Sequence, residues 1–215
     1  MPKALILDFD NCIASAREVG ADLYEPALEA IRKANSGTLS DEALEAAIED
    51  VWRHPLDWVA DQHGFSKAMR DAAWEVFTTI AVSRSMHGYG DLAFLAELPV
   101  QRFLVTSGFR RLQESKIRAL DLAPLFTACF VDAIDEPDRL GKRGLFEQIL
   151  NNYQLSAEEV LVIGDNGDSE IAAGNQLGIP TVQTLRPEVP RANNATYHIH
   201  SFAELGALLE KTETQ

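Results

Sequence analysis

Two aspartates, Asp8 and Asp10, directly follow the first apolar run of the chain. The run Ala4–Leu7 is short and is followed by polar and small residues, which is typical of a buried strand that ends in a loop. In an open α/β sheet, ligands bind beyond the carboxyl ends of the strands. Two carboxylates at that position can share a cation and a reacting phosphoryl group. Simple capping of a turn is the alternative, so other segments must decide between the two interpretations.

Thr106 and Ser107 follow a second apolar run, at residues 102–105. A loop of this kind can offer hydroxyl and backbone N–H groups to a phosphate oxygen, and helix capping by either residue is the alternative. Lys142 stands just before a predicted helix. An isolated lysine usually lies on the solvated surface, but among several carboxylates it would balance their charge.

The last polar cluster follows the apolar run 160–163 and begins with Gly164 and Asp165. The pair Asn166-Gly167 favours a hairpin turn. However, the residues up to 177 are rich in alanine and lack the alternation of a strand, so we predict a strand, a tight turn and a helix. This interpretation places Asp165 at the carboxyl end of a strand beside Asp8.

The elements that must position these residues alternate along the chain. Further apolar runs lie at 128–131 and 180–183, and helix-like stretches lie at 109–120, 144–153 and 169–177. Such alternation predicts an α/β fold, a doubly wound parallel sheet with helices on both faces. Residues 197–199 are expected to add an edge strand, and residues 202–210 a closing helix.

A helical segment interrupts this alternation after the first strand. Helix starts are predicted at Ser40, Pro55 and Ser66, and no convincing strand lies between residues 16 and 85. We therefore expect a core formed by residues 1–15 and 86–215, with a helical cap of residues 16–85 inserted as a lid over the site.

Composition narrows the classes of partner. Nineteen Lys and Arg against 33 Asp and Glu give a formal charge of -14, which disfavours nucleic acid. No apolar stretch approaches the about 20 residues that span a bilayer, so no membrane partner is expected. Two cysteines, Cys12 and Cys129, make no disulfide framework, and the N-terminus lacks the pattern of a secretory signal. These features indicate a cytoplasmic setting, while they predict no oligomeric state.

Together these segments resemble, in order, the four motifs of the haloacid dehalogenase (HAD) superfamily. The resemblance covers roughly residues 3–14 and 90–210, and the helical insertion matches the position of the family's helical cap. The residues that carry it are Asp8-Phe9-Asp10, Thr106, Lys142, and Gly164-Asp165 with Glu170.

The resemblance implies a Mg²⁺-dependent phosphatase with a Rossmann-like core. Asp8 would be the nucleophile that forms an aspartyl-phosphate, and Asp10 would protonate the leaving group and then activate water. Mg²⁺ would be held by the Asp8 carboxylate, the Asp10 carbonyl oxygen and Asp165. The implied substrate is a small phosphorylated metabolite, and its phosphoryl oxygens would be bound by Thr106, Ser107 and Lys142.

Two positions depart from the family pattern. Cys12 stands where family members commonly carry Thr, and a thiol is a weak hydrogen-bond partner, so the loop is expected to be held less firmly. The second acid of the last motif is usually Asp. Here Glu170 aligns best and Asp168 is a rival at closer spacing, so support of the metal is open between them.

Several alternatives remain at this point. A phosphosugar mutase or another phosphotransferase would use the same intermediate. A haloacid dehalogenase needs no acid to protonate a halide, so Asp10 argues against it. A phosphorylatable signalling receiver is shorter and lacks a large helical insertion. A catalytically silent binding protein on the same scaffold would have no reason to retain both acids and the lysine.

Overall fold

The computed structural model describes residues 2–212, and of residues 211 and 212 only the backbone. The described residues form a six-stranded sheet in the order β3-β2-β1-β4-β5-β6, in which every pair of neighbours is parallel. The predicted α/β parallel sheet is therefore confirmed. Its strands are β1 (Ala4–Leu7), β2 (Gln101–Gly108), β3 (Ala128–Ala133), β4 (Val160–Gly164), β5 (Thr181–Thr184) and β6 (Tyr197–Ile199).

Five α-helices lie between β1 and β2, and the others follow among the later strands. Short 3₁₀ segments occur at Ala16–Val19, Ala123–Leu125, Ala157–Glu159 and Phe202–Glu204. The α-helices are α1 (Ala21–Ala34), α2 (Asp41–Asp50), α3 (Leu56–Gln62), α4 (Lys67–Phe77), α5 (Leu92–Glu97), α6 (Arg110–Ala119), α7 (Gly141–Tyr153), α8 (Glu170–Gln176) and α9 (Leu205–Thr212).

Both faces of the sheet are covered. Leu5 and Leu7 of β1 belong to one apolar cluster, which includes buried residues of α5, α6 and α9. Ala4 and Ile6 point to the opposite face and belong to a second cluster with residues of α7 and α8. A strand that is buried on both faces reads as a continuous apolar run, which explains the sequence of β1.

Helices α1–α4 form the helical insertion. The Ser40 side chain accepts a hydrogen bond from the Ala43 N–H at the start of α2, and Ser66 accepts one from the Met69 N–H at the start of α4. These caps satisfy N–H groups that would otherwise lack a partner, so each serine fixes where its helix begins. The insertion shares the first apolar cluster with the sheet.

Three boundaries differ from the sequence expectation. Strand β2 continues to Gly108 because it pairs with β3 as far as Ala133, so Thr106 and Ser107 lie on the strand and not in a loop. Helix α7 begins at Gly141, which places Lys142 in its first turn. The closing helix begins as a 3₁₀ turn before α9. Within residues 2–212, no helix combines the length and apolar character that crossing a bilayer requires.

Candidate active site

The carboxyl ends of β1, β2 and β4 meet at one edge of the sheet, under the helical insertion. A cavity of about 510 Å³ lies there. The sequence-predicted residues Asp8, Asp10, Thr106, Lys142 and Asp165 all line it, together with side chains of the helical insertion. In a doubly wound sheet this edge, beyond the carboxyl ends of the strands, is the expected ligand site.

The loop after β1 is folded back on itself. The N–H groups of Ile13 and Ala14 both donate to the Phe9 carbonyl, and Asn11 has a left-handed backbone with φ of 55°. Asn11 tolerates this conformation better than most residues. Its amide oxygen accepts from the Ala16 N–H, so the loop that carries both aspartates has a fixed shape.

Lys142 joins two acids from distant parts of the chain. Its ammonium nitrogen lies 2.9 Å from Asp8 Oδ1 and 2.7 Å from Glu170 Oε2. The Asn166 N–H donates to the other oxygen of Glu170 at 2.6 Å. The glycine before Asp165 is required here, because a Cβ at Gly164 would lie 2.2 Å from the Glu170 side chain.

Three buried carboxylates, those of Asp8, Asp165 and Glu170, bring oxygens within 4.8 Å of one another. Burial, with a further contribution from Glu170, raises the pKa of Asp8 to about 7, although Lys142 acts in the opposite direction. Burial and the neighbouring acids also raise the pKa of Asp165 well above its usual value. Burial alone would lower the pKa of Lys142, but Asp8 and Glu170 outweigh it and raise that pKa.

This cluster fits a divalent cation. Three ionised carboxylates and one ammonium would leave two uncompensated negative charges (three minus one) in a buried place. Carboxylate oxygens are the hard ligands that Mg²⁺ prefers. The donor set and its excess charge therefore suit the metal that the sequence resemblance implied.

The structure separates the two rivals for the second acid of the last motif. Glu170 is 1% exposed and belongs to the acidic cluster. Asp168 is exposed, and its N–H donates to the Asn166 side chain in the turn before α8. The geometry favours Glu170 as metal support, while its role stays a prediction.

Thr106 and Ser107 differ in the contacts of their side chains. Thr106 is 1% exposed and lines the cavity. Ser107 also lines it, but its hydroxyl donates to Asp132 Oδ2 at 3.0 Å. Asp132 is buried and also accepts from the Gly141 N–H and from Arg139. Ser107 thereby connects β2 to the start of α7, and phosphate binding by it stays a prediction.

Sequence reasoning missed the partners of Asp10. Lys116, on α6, is 1% exposed and its Nζ lies 2.9 Å from both Asp10 carboxylate oxygens. Gln113 Nε2 donates to Asp10 Oδ2 at 3.1 Å. The available signal was that Leu112, Gln113, Lys116 and Ile117 share the apolar stripe of a helix, where polar residues are unexpected.

The helical insertion contacts the core around the cavity through several side chains. Arg139 forms an ion pair with Asp57 of α3. The Asn166 amide approaches the His54 ring at 3.5 Å, and the His54 ring stacks on Trp58 with centroids 3.8 Å apart. Trp58 is 40% exposed, so this stacked pair lies partly at the surface.

Cys12 is buried, and its thiol donates weakly to the Ile163 carbonyl at 3.9 Å. Burial raises the pKa of this thiol well above its usual value, so it stays neutral. The loop gains a second anchor because Arg186 Nε donates to the Cys12 carbonyl at 3.0 Å. Arg186 Nη1 in turn donates to Asp91 Oδ2 at 2.8 Å. These buried contacts indicate that Arg186 stabilises the fold.

Comparison with known protein families identifies the class of protein to which this fold and acidic cluster belong. The family model of haloacid dehalogenase-like hydrolases matches residues 2–178. The chain therefore belongs to the haloacid dehalogenase-like hydrolases, as its motifs predicted.

Two curated sequences are similar to part of the chain. Pyrimidine 5′-nucleotidase PynA of Streptococcus pneumoniae is 27% identical over 122 residues, which are 54% of this chain and 50% of that protein. The HAD-hydrolase YfnB of Bacillus subtilis is 30% identical over 118 residues, which are 52% of this chain and 48% of that protein. The chain thus spans about half the length of the curated relatives that it matches.

Solved structures share the fold over nearly the whole chain. The magnesium-bound structure of Bacillus subtilis YfnB has a TM-score of 0.64 at 19% identity, and the match covers 97% of this chain and 98% of that chain. A HAD phosphatase from Thermococcus onnurineus has a TM-score of 0.63 at 19% identity, with 96% and 97% covered. At this level of identity the likeness shows the fold alone.

Proposed function

We propose that the protein is a Mg²⁺-dependent phosphatase that hydrolyses small phosphate monoesters through an aspartyl-phosphate on Asp8. The observation that carries the proposal is the contact of Lys142 with both Asp8 and Glu170 inside a buried acidic cluster. A lysine that is shared in this way compensates the negative charge of the nucleophile, and it can also donate a hydrogen bond to a phosphoryl oxygen. Membership of a hydrolase family and the 5′-nucleotidase relative support the same chemistry.

In the first step an Asp8 oxygen attacks phosphorus while the bond from phosphorus to the leaving oxygen breaks. Asp10 gives its proton to that leaving oxygen. In the second step Asp10 takes a proton from water, and the water oxygen attacks the phosphorus of the aspartyl-phosphate. Inorganic phosphate leaves, and the Asp8 carboxylate is regenerated. Asp10 thus ends the cycle protonated, as it began.

Thr106 and Lys142 hold the phosphoryl oxygens in this proposal, because both line the cavity beside Asp8. Asp8, Asp165 and the Asp10 carbonyl oxygen would hold Mg²⁺, with Glu170 supporting them. When bound, Mg²⁺ supplies positive charge that neutralises the phosphoryl oxygens. Catalysis then consists of positioning and charge neutralisation around a phosphoryl group.

The helical insertion is the proposed cap domain, and the leaving group would face it. Its side of the cavity carries aromatic side chains, among them Tyr24, Trp52 and Phe77. Such a wall suits a leaving group with a flat ring, which makes nucleoside monophosphates the first substrates to test. Both cysteines are free thiols, which supports the expected cytoplasmic setting.

The test is a turnover assay with a panel of phosphorylated metabolites, in Mg²⁺ and in chelator. We expect phosphate release that requires Mg²⁺ and is lost in Asp8→Asn, while Asp168→Asn, an exposed acid of the same region, retains it. Phosphate release by Asp8→Asn at the wild-type rate would contradict the proposal. Absence of turnover of every monoester by the Mg²⁺-loaded wild type would also contradict it.

A further inference from the structure

Lys116 is a fully buried cation at the edge of the site. Its Nζ lies 2.9 Å from each carboxylate oxygen of Asp10. Burial alone would lower the pKa of Lys116, but Asp10 and the neighbouring Tyr24 hydroxyl outweigh it and raise that pKa. Lys116 is 1% exposed, whereas the Asp10 side chain is 23% exposed and faces the cavity. The fixed partner of the pair is therefore the lysine.

Gln113 completes the hold on Asp10. Its amide nitrogen donates to Asp10 Oδ2 at 3.1 Å and to the Ser107 carbonyl at 2.9 Å. Both acceptors are oxygens, so the amide cannot be turned round, and its Oε1 is left buried with no partner among the described residues. A buried polar atom without a hydrogen-bond partner destabilises the folded protein. This unfavourable contribution indicates that the orientation of the Gln113 amide is set by its hydrogen bond to the Asp10 carboxylate.

The glycine at the end of β2 is part of the same arrangement. Gly108 has φ of 150°, and a Cβ at this position would lie 2.6 Å from Gln113 Nε2. With Gln113 and Lys116 both on Oδ2, the less occupied oxygen of Asp10 is Oδ1. Oδ1 is thus the oxygen with room to carry a proton toward a leaving group.

Tyr24 connects this arrangement to the helical insertion. The phenol stacks on Trp52 with ring centroids 4.5 Å apart and meets Phe77 edge-on at 5.2 Å. The Trp52 carbonyl accepts from the Asn11 amide at 3.4 Å, next to Asp10 in sequence. The insertion therefore neighbours Lys116 through Tyr24 and contacts the segment after Asp10 through Trp52.

We propose that Lys116 is a positioning residue that aims the Asp10 carboxyl at the leaving group, and that Tyr24 makes this aim depend on the helical insertion lying over the cavity. The inference rests on the proposed function, in which Asp10 gives a proton to the leaving oxygen. In this proposal Lys116 acts through Asp10 and makes no contact of its own with the phosphoryl group. Replacing Lys116 should therefore lower kcat/KM for esters whose leaving group must be protonated. It should have little effect on esters whose leaving group departs without a proton.

The experiment compares kcat/KM for p-nitrophenyl, phenyl and benzyl phosphate, whose leaving groups become progressively poorer in that order. This parameter reports the steps up to departure of the leaving group, so hydrolysis of the aspartyl-phosphate does not enter it. We expect Lys116→Met to lower kcat/KM for benzyl phosphate by about 100-fold and for p-nitrophenyl phosphate by no more than about 3-fold. Asp10→Asn should show the same pattern.

Two further variants make the result decisive. Lys33→Met changes an exposed lysine on the same helix as Tyr24 and should leave the whole series unchanged. Tyr24→Phe removes only a hydroxyl and should lower kcat/KM for benzyl phosphate by about 3- to 10-fold without affecting p-nitrophenyl phosphate. This variant decides the question if Lys116→Met does not fold.

An equal loss for all three esters in Lys116→Met, or no loss for benzyl phosphate, would overturn the inference. So would an unchanged series in Tyr24→Phe. The two proposals fail differently. If Asp10→Asn shows the leaving-group pattern and Lys116→Met does not, only the role of Lys116 is wrong. If the wild type releases no phosphate from any ester, the proposed function itself is wrong.

Discussion

The ammonium of Lys142 lies 2.9 Å from the carboxylate of Asp8, although Asp8 directly follows β1 and Lys142 lies on α7, in distant parts of the chain. The side chains of both residues are less than a tenth exposed. The lysine thus holds the proposed nucleophile in a place where burial opposes its ionisation. This pair links the fold to the proposed chemistry.

Replacing Lys142 by Met should abolish most of the activity, because the nucleophile loses its counter-charge and the phosphoryl group loses a contact. We expect kcat/KM for p-nitrophenyl phosphate to fall by at least about 1,000-fold, or about 4 kcal/mol. Lys67→Met, at an exposed position of α4, is the matched control. A variant of Lys142 with more than a tenth of the wild-type kcat/KM would contradict this role.

Mg²⁺ affinity should depend on Glu170 and not on Asp168. Glu170 is buried in the acidic cluster, and Asp168 is exposed. Glu170→Gln should weaken Mg²⁺ binding by about 10- to 100-fold, as measured by titration calorimetry. Asp168→Asn, two residues away, should leave it within about 3-fold of wild type. The opposite order would assign the metal support to Asp168.

The stability of the metal-free protein should fall as the pH rises from about 4 to about 7. Burial raises the pKa of Asp8 from 3.8 to about 7, so in this range the folded protein keeps a proton that the unfolded chain releases. The free energy of unfolding then decreases with pH, by at most about 4 kcal/mol from this group. Urea denaturation in chelator measures it.

The control for this trend is Asp8→Asn, which should have a flatter dependence of stability on pH over the same range. Added Mg²⁺ should stabilise the wild type more at pH 7 than at pH 4.5, because binding requires the ionised carboxylates. Identical pH dependence in wild type and Asp8→Asn would show that Asp8 does not carry the raised pKa.

Arg186 should matter for stability through its buried pair with Asp91. Arg186→Met leaves the Asp91 carboxylate without its guanidinium partner and releases the Cys12 carbonyl. We expect a loss of about 3–5 kcal/mol in the free energy of unfolding. The double variant Arg186→Met with Asp91→Leu should recover part of it. A double variant less stable than Arg186→Met would contradict this explanation.

Much of the fold was accessible from the sequence because its strands are short apolar runs between helical segments. Short apolar runs identified β1 and β4, and the serine caps identified the starts of α2 and α4. The end of β2 was placed too early, since Thr106 and Ser107 look like loop residues. Only their pairing with β3 keeps them in the sheet, and that contact lies between distant segments.

The site was predictable where its residues follow strands directly, as Asp8 and Asp165 do. Lys116 was not identified, although it stands on the apolar stripe of α6. Its partner Asp10 lies more than a hundred residues away, and helical periodicity carries no information about such a pair. Asp132 and Arg139 were missed for the same reason, because their contacts form only when β2, β3 and α7 are assembled.

The proposed covalent phosphoryl intermediate on Asp8 can be detected by chemical trapping. The protein is mixed with Mg²⁺ and a phosphate monoester that it turns over, and is then reduced with borohydride and mapped by peptide mass spectrometry. If Asp8 is the nucleophile, it will be converted to homoserine only in the presence of the substrate, while Asp10 and Asp165 remain unchanged. Substrate turnover with unmodified Asp8, or with the reduction at another acid, would contradict it.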